Sequence, residues 1–205
     1  MAPENIPAMT SPAEPSSRAD WTARYAARLA RDKGPSRWVL ERMRILPPGS
    51  TICDIAGGIG RHAIPVAQMG HHVVLIDFIE AAVRFAMQQS PGIAGVVADA
   101  SVLPLKETVF DAVLVTNFLD RDLIPALIAL LKPGGHFVYE TYTTEHAALV
   151  AAGLAKAPRS ARYLLRRGEL RALLGELTIL DSREGEVNDE AGRRACASLH
   201  GVATR

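Results

Sequence analysis

Asp54 stands at the end of an apolar run and is followed at once by Gly57, Gly58 and Gly60, within the segment TICDIAGGIG at 51–60. That order reads as a buried strand that delivers a nucleotide-like ligand to a glycine loop. Glycines suit the place because the chain must take up backbone angles that a Cβ penalises, and because a ligand must approach the main chain closely. A helix starting near Arg61 would then aim free N–H groups at whatever rests on the loop. Gly58, Gly60 and Ala63 also satisfy the G-x-G-x-x-G/A dinucleotide fingerprint, with Asp77 at the end of HHVVLID, about 20 residues on, where a ribose-binding acid belongs. Asp54 adds something that the fingerprint does not require, a carboxylate inside the strand, suited to a ligand carrying an ammonium group.

The elements that must position these residues alternate. From residue 51 onward strands are predicted at 51–55, 72–76, 93–98, 110–116 and 135–140, with helices near 60–69, 79–89, 121–131 and 168–174. Pro65 shortens or bends the first of these helices. Two last strands, roughly 176–187 and 194–203, pair as a hairpin across 188–193, and a turn over 132–135 precedes the fifth strand. The alternation predicts an α/β fold, a parallel sheet with helices on both faces. Upstream, residues 20–46 read as two short helices broken at Gly34 and Pro35, and residues 1–19, rich in Pro, Ser and Ala, as a flexible tail.

The succession TICDIAGGIGR, VVLIDFIEAAVRFA, VVADASVLPL, VFDAVLVTNFLD and LLKPGGHFVYET resembles the class I S-adenosylmethionine-dependent methyltransferases over nearly the whole chain. Within that family the likeness is greatest to small bacterial methyltransferases of the tellurite-resistance type, carried by Trp21, Arg24 and Tyr25, by DIAGGIGRH and by LLRRGEL at 164–170. The resemblance implies a doubly wound, mostly parallel seven-stranded Rossmann-like sheet with a C-terminal antiparallel hairpin, in a single methyltransferase domain over 20–205, whose helices at 20–46 form either a lid over the cofactor and substrate or a helix packed on the domain edge. It implies S-adenosylmethionine as cofactor, leaving as S-adenosylhomocysteine, and a small-molecule methyl acceptor. Asp54 would then lie near the methionine amino group, with Ala56, Gly57, Gly58 and Gly60 beneath the amino-acid part. Asp77 and Phe78 would meet the ribose side, Asp99 and Ala100 the adenine, Asn117 the methyl-donor end, and Trp21 would close over the cofactor. Tyr25, Arg61, His62, Phe118, Arg121, Glu140 and Tyr142 are the substrate-pocket candidates, and no general base is named. For His62 the ordinary alternative is a structural or solvated histidine. Ala56 replaces the usual first glycine, which is tolerable if its φ stays negative.

Bulk properties narrow the field further. Twenty-three Lys and Arg against twenty-two Asp and Glu give a net charge of +1, which advertises no nucleic acid or anionic membrane partner. The basic stretch Lys156, Arg159, Arg162, Arg166, Arg167 and Arg171 reads as a solvated face or as a rim favouring an anionic acceptor. Two cysteines, Cys53 and Cys196, each fall in an apolar strand, so neither a disulfide framework nor a zinc site is expected. With no apolar run of about 20 residues, the expectation is a soluble cytoplasmic protein, monomeric or homodimeric, without a metal. A nicotinamide-dependent oxidoreductase and a non-catalytic cofactor-binding protein are the alternative readings.

Overall fold

Alternation along the central strands divides the core into two layers. In the computed structural model, which describes residues 34–100, 102, 103, 105–156, 158 and 160–204, strand β1 (Thr51–Ile55) turns Ile52 to one face and Cys53 and Ile55 to the other. Strand β4 (Phe110–Thr116) does the same with Ala112 and Leu114 against Val113 and Val115. Side chains alternate faces with period two, so a strand covered on both sides must be apolar at nearly every position. Each fully buried Ile or Leu of this kind contributes about 1.5–3 kcal/mol.

One face packs on helices α1 (Arg37–Met43), α2 (Ala63–Gln68) and α3 (Glu80–Gln89), through Val39, Met43, Val66, Val83 and Ala86. The opposite face packs on α4 (Ile124–Ala129) and α6 (Glu169–Leu173), through Leu127 and Leu170. Helix α5 (Glu145–Ala151), in a stretch the sequence reading left without an element, follows strand β5 (Leu131–Tyr142). With β2 (His72–Asp77), β3 (Ile93–Val97), β6 (Thr178–Val187) and β7 (Arg194–Val202), the sheet has the order β3-β2-β1-β4-β5-β7-β6. The first five strands run parallel, and β7 is antiparallel to both β5 and β6. Strand order therefore reverses between β1 and β4, the place where open α/β sheets bind ligands.

The doubly wound fold and its terminal hairpin agree with the sequence reading, and two details differ. The turn expected before the fifth strand lies inside β5: Leu131 pairs with Phe110 and His136 with Ala112, so 132–135 form an excursion around Gly134, at φ 75°. Helix α4 is shorter than the predicted 121–131, because the chain from Asn117 to Leu123 is occupied by a loop whose contacts are described below. Of the two upstream helices, α1 is present, while the first, with Trp21, Arg24 and Tyr25, lies outside the described residues. Among the described residues no helix is long and apolar enough to cross a membrane.

Candidate functional site

Period-two alternation places four polar residues on one face at the carboxyl edge of the sheet. Asp54, Asp77, Thr116 and Glu140 each stand two positions beyond a core residue of the α1–α3 face, namely Ile52, Leu75, Leu114 and Val138. Thr116 and Glu140 are register partners, and Glu140 is opposite Ser198 of β7.

Asp54 is the anomaly in this row. It is 1% exposed, and neither carboxylate oxygen makes a hydrogen bond. Burial pushes its pKa up to about 7; Arg61 and the nearby Ala63 N–H pull against that, and the charge of Asp77 adds to it. A buried ionised carboxylate without partners is costly, so native structures avoid one unless a ligand answers it. Gly57 packs directly on this group: a Cβ there would come within 2.9 Å of Asp54 Cγ, Asp54 Oδ2 and Leu75 Cγ. Glycine is thus needed for close approach at 57, and for a left-handed backbone at Gly60, where φ is 79°. Ala56 takes the left-handed conformation as well, at φ 53°, contrary to the expectation of a negative value. The Gly57 N–H, bonded to Ile76 O at 3.1 Å, ties this stretch to β2.

Asp77 holds the glycine loop from the neighbouring strand. Its Oδ2 accepts the Gly58 N–H and its Oδ1 the Ile79 N–H, both at 2.9 Å. The carboxylate is 3% exposed. Burial raises its pKa, against the N–H groups of Ile79, Gly58 and Phe78. A carboxylate offers about four acceptor positions, so acceptor capacity remains for a hydroxyl donor. Phe78 is half-buried against Ile59, Ile79 and Ala82, while Asp99 is exposed beyond β3, and Ala100 is buried. Across the switch point, Asn117 is exposed at φ 54°, its N–H bonded to Glu140 O at 2.9 Å.

Three of the expected pocket residues, Glu140, Arg121 and His62, are bonded to other parts of the protein. Glu140 is 3% exposed and receives Arg194 at 2.7 Å, Arg183 at 3.0 Å and Ser198 at 2.8 Å. Burial alone would raise its pKa; the Arg194 charge and the hydrogen bonds of Arg194, Ser198 and Ser36 outweigh that and hold it low. Glu140 is therefore an internal counter-ion. Arg121 is paired with Glu169 at 2.6 Å and donates to Leu164 O, which docks the 160–170 segment beside the end of β4. His62 is 2% exposed, bonded to Ser36 and Thr116, which favours the structural alternative. Tyr142 is half-buried, its ring 4.4 Å from that of His146. Phe118 and Arg61 are half-buried at the two sides of the switch point, and the Phe118 carbonyl accepts the Tyr139 hydroxyl at 2.9 Å. Tyr25 and Trp21 lie outside the described residues. Sequence reasoning missed Ser36, Thr116 and Arg194, none of which lies in a recognisable motif, and it assigned no role to Glu169 within LLRRGEL. Among the described residues no group of three or more His, Cys, Asp or Glu is placed to hold a metal ion.

A family profile described as a methyltransferase domain matches residues 52–135, from β1 through the excursion in β5. A demethylmenaquinone methyltransferase of Clavibacter sepedonicus is 32% identical over 126 residues, covering 57% of this chain and 51% of that protein. The chain thus spans about half the length of the curated relatives it matches. Among solved structures, an S-adenosylmethionine-dependent methyltransferase of Methanosarcina mazei superposes with a TM-score of 0.64 at 20% identity, covering 83% of this chain and 98% of that one. TehB of Haemophilus influenzae does so with a TM-score of 0.66 at 18% identity, covering 89% of this chain and 67% of that one. At these identities the solved structures establish the fold.

Proposed function

We propose that the chain is a class I S-adenosylmethionine-dependent methyltransferase, which binds S-adenosylmethionine at the β1–β4 switch point and methylates a small molecule. The observation that carries this reading is the unpartnered carboxylate of Asp54 behind Gly57. The ammonium of an amino-acid moiety supplies both the charge and the donors that Asp54 lacks, so the residues fit the cofactor. When bound, the sulfonium supplies an activated methyl group for in-line displacement by a nucleophile.

The chain's own part is to bind and orient. Asp54 holds the ammonium, and the backbone of 56–60 lets the amino-acid part lie against the main chain. Asp77 anchors the loop through Gly58 and offers its remaining lone pairs to the ribose hydroxyls. Asp99 and Ala100 face the adenine, and Asn117 stands beside the donor end. Fixing both reactants at attack distance supplies up to about 7–11 kcal/mol of the barrier in favourable cases. Hence a strongly nucleophilic acceptor needs little acid–base help, and Glu140, already spent on Arg194, is not available as a base.

The demethylmenaquinone methyltransferases among its relatives put quinols first in an acceptor screen, ahead of thiols, small phenols and chalcogen oxyanions. The place of action is proposed to be the cytoplasm. Calorimetric titration with S-adenosylmethionine and S-adenosylhomocysteine, with NADH and NADPH in parallel, tests the cofactor. Uptake of the sulfonium pair alone is expected, whereas uptake of a nicotinamide alone would overturn the proposal.

A further inference from the structure

His62, which ends the glycine loop, joins two segments that lie far apart in the chain. Its Nε2 accepts the main-chain N–H of Ser36 at 3.0 Å, and its Nδ1 lies 3.1 Å from the Thr116 hydroxyl. A main-chain N–H only donates, so Nε2 carries no proton, and a neutral ring must bear its proton on Nδ1 and donate to Thr116 Oγ1. The site enforces neutrality: the ring is buried, and the nearby guanidinium groups of Arg61 and Arg194 both oppose another positive charge, which keeps its pKa well below the ordinary value. One tautomer is dictated by the surroundings.

The contacts then close into a ring. Ser36 Oγ accepts from Arg194 at 3.2 Å, Arg194 donates to Glu140 at 2.7 Å, and the Glu140 carbonyl accepts the N–H of Asn117, the neighbour of Thr116. Both imidazole nitrogens are occupied and the side chain is buried, so His62 does not reach a substrate.

Resting on the function proposed above, we propose that His62 is a positioning residue: held as the Nδ1–H tautomer, it registers the exit of β4, with Asn117, against the glycine loop. One imidazole thereby fixes the distance between the loop that holds the cofactor and the side from which an acceptor enters.

Thr116→Val, in the full chain, removes the hydroxyl while keeping the branched shape, and Thr116→Ser keeps the hydroxyl. Titration with S-adenosylhomocysteine should show affinity weakened roughly three- to tenfold in Thr116→Val, the worth of one hydrogen bond, and within about twofold of wild type in Thr116→Ser. Nitrogen-15 spectra of the wild-type imidazole should show a protonated Nδ1 and a bare Nε2. An imidazolium or the opposite tautomer would overturn the proposal. So would wild-type affinity in a Thr116→Val variant whose melting temperature is lowered, since the contact would then be merely structural. Wild-type protein that takes up no S-adenosylhomocysteine would remove the methyltransferase reading and this proposal together, whereas normal wild-type uptake with an unaffected variant removes this proposal alone.

Discussion

Asp54 and Glu140 are both buried carboxylates near strand ends on one face of one sheet, 1% and 3% exposed. Glu140, on the β5–β7 side, is met by Arg194, Arg183 and Ser198, and its pKa is held low against the effect of burial. Asp54, on the β1–β2 side, has no hydrogen-bond partner, and burial carries its pKa up to about 7. The fold thus completes one polar group internally and leaves the other without a hydrogen-bond partner, which is where we propose the ligand's ammonium sits. A saturated polar cluster fixes geometry, while an unsatisfied one costs stability that only binding returns. The family profile, over residues 52–135, includes Asp54 and ends in β5 before Glu140.

The comparison breaks most visibly at Arg194. Arg194→Met would strand Glu140 in the interior, and a loss of about 3–5 kcal/mol is expected in urea unfolding at neutral pH; a loss below about 1 kcal/mol would show that Glu140 does not depend on its internal partner. Because the Glu140 pKa is depressed, its contribution is present above the ordinary carboxylate range and is lost as pH falls through the folded value.

Asp54→Asn should act with opposite signs on binding and stability. Losing the counter-charge should weaken S-adenosylhomocysteine binding about a hundredfold, as expected for a buried hydrogen bond to a charged group. The same change removes a carboxylate whose raised pKa destabilises the fold as pH climbs from the unfolded value toward about 7. The ligand-free variant should therefore be more stable than wild type at pH 8 by of order 1–4 kcal/mol, and should melt at a higher temperature. A variant that binds normally would return Asp54 to the structural residues.

The pH dependence of wild-type binding sharpens the contrast. Below about pH 7 Asp54 is increasingly protonated in the free protein, so affinity should fall about tenfold per unit as acid is added. Above about 8 the ligand's own amino group loses its proton, which gives a narrow optimum between the two limits. Calorimetry across this range should show the acid limb in wild type and its absence in Asp54→Asn. Smallest of all, Ala56→Gly should relieve the left-handed alanine and stabilise the protein by about 1 kcal/mol in the same unfolding assay, with affinity within about twofold.

The strands, the hairpin and the glycine loop were legible because period-two apolar runs and glycine punctuation are local signals. Asp54 was legible for the same reason, as a carboxylate inside an apolar strand. The roles of Glu140, His62 and Arg121 were not, since each is decided by a partner remote in the chain: Arg194, 54 residues from Glu140; Ser36, 26 from His62; and Glu169, 48 from Arg121. The burial of Asp77 is likewise not local, because the N–H that helps close it in comes from Gly58, 19 residues earlier. The left-handed Ala56 was invisible because alanine carries no mark of it.

The two cysteines give each side of this comparison a reporter of its own. Cys53 is fully buried in β1 and Cys196 is 1% exposed in β7, both with thiols pushed up by burial, Cys196 to about 11. Neither reacts readily while its strand is packed, because the thiolate is the reactive form. Labelling by a thiol reagent therefore clocks how often each strand opens. Ligand protection of Cys53 that exceeds protection of Cys196 would reveal how far the incomplete side breathes on its own.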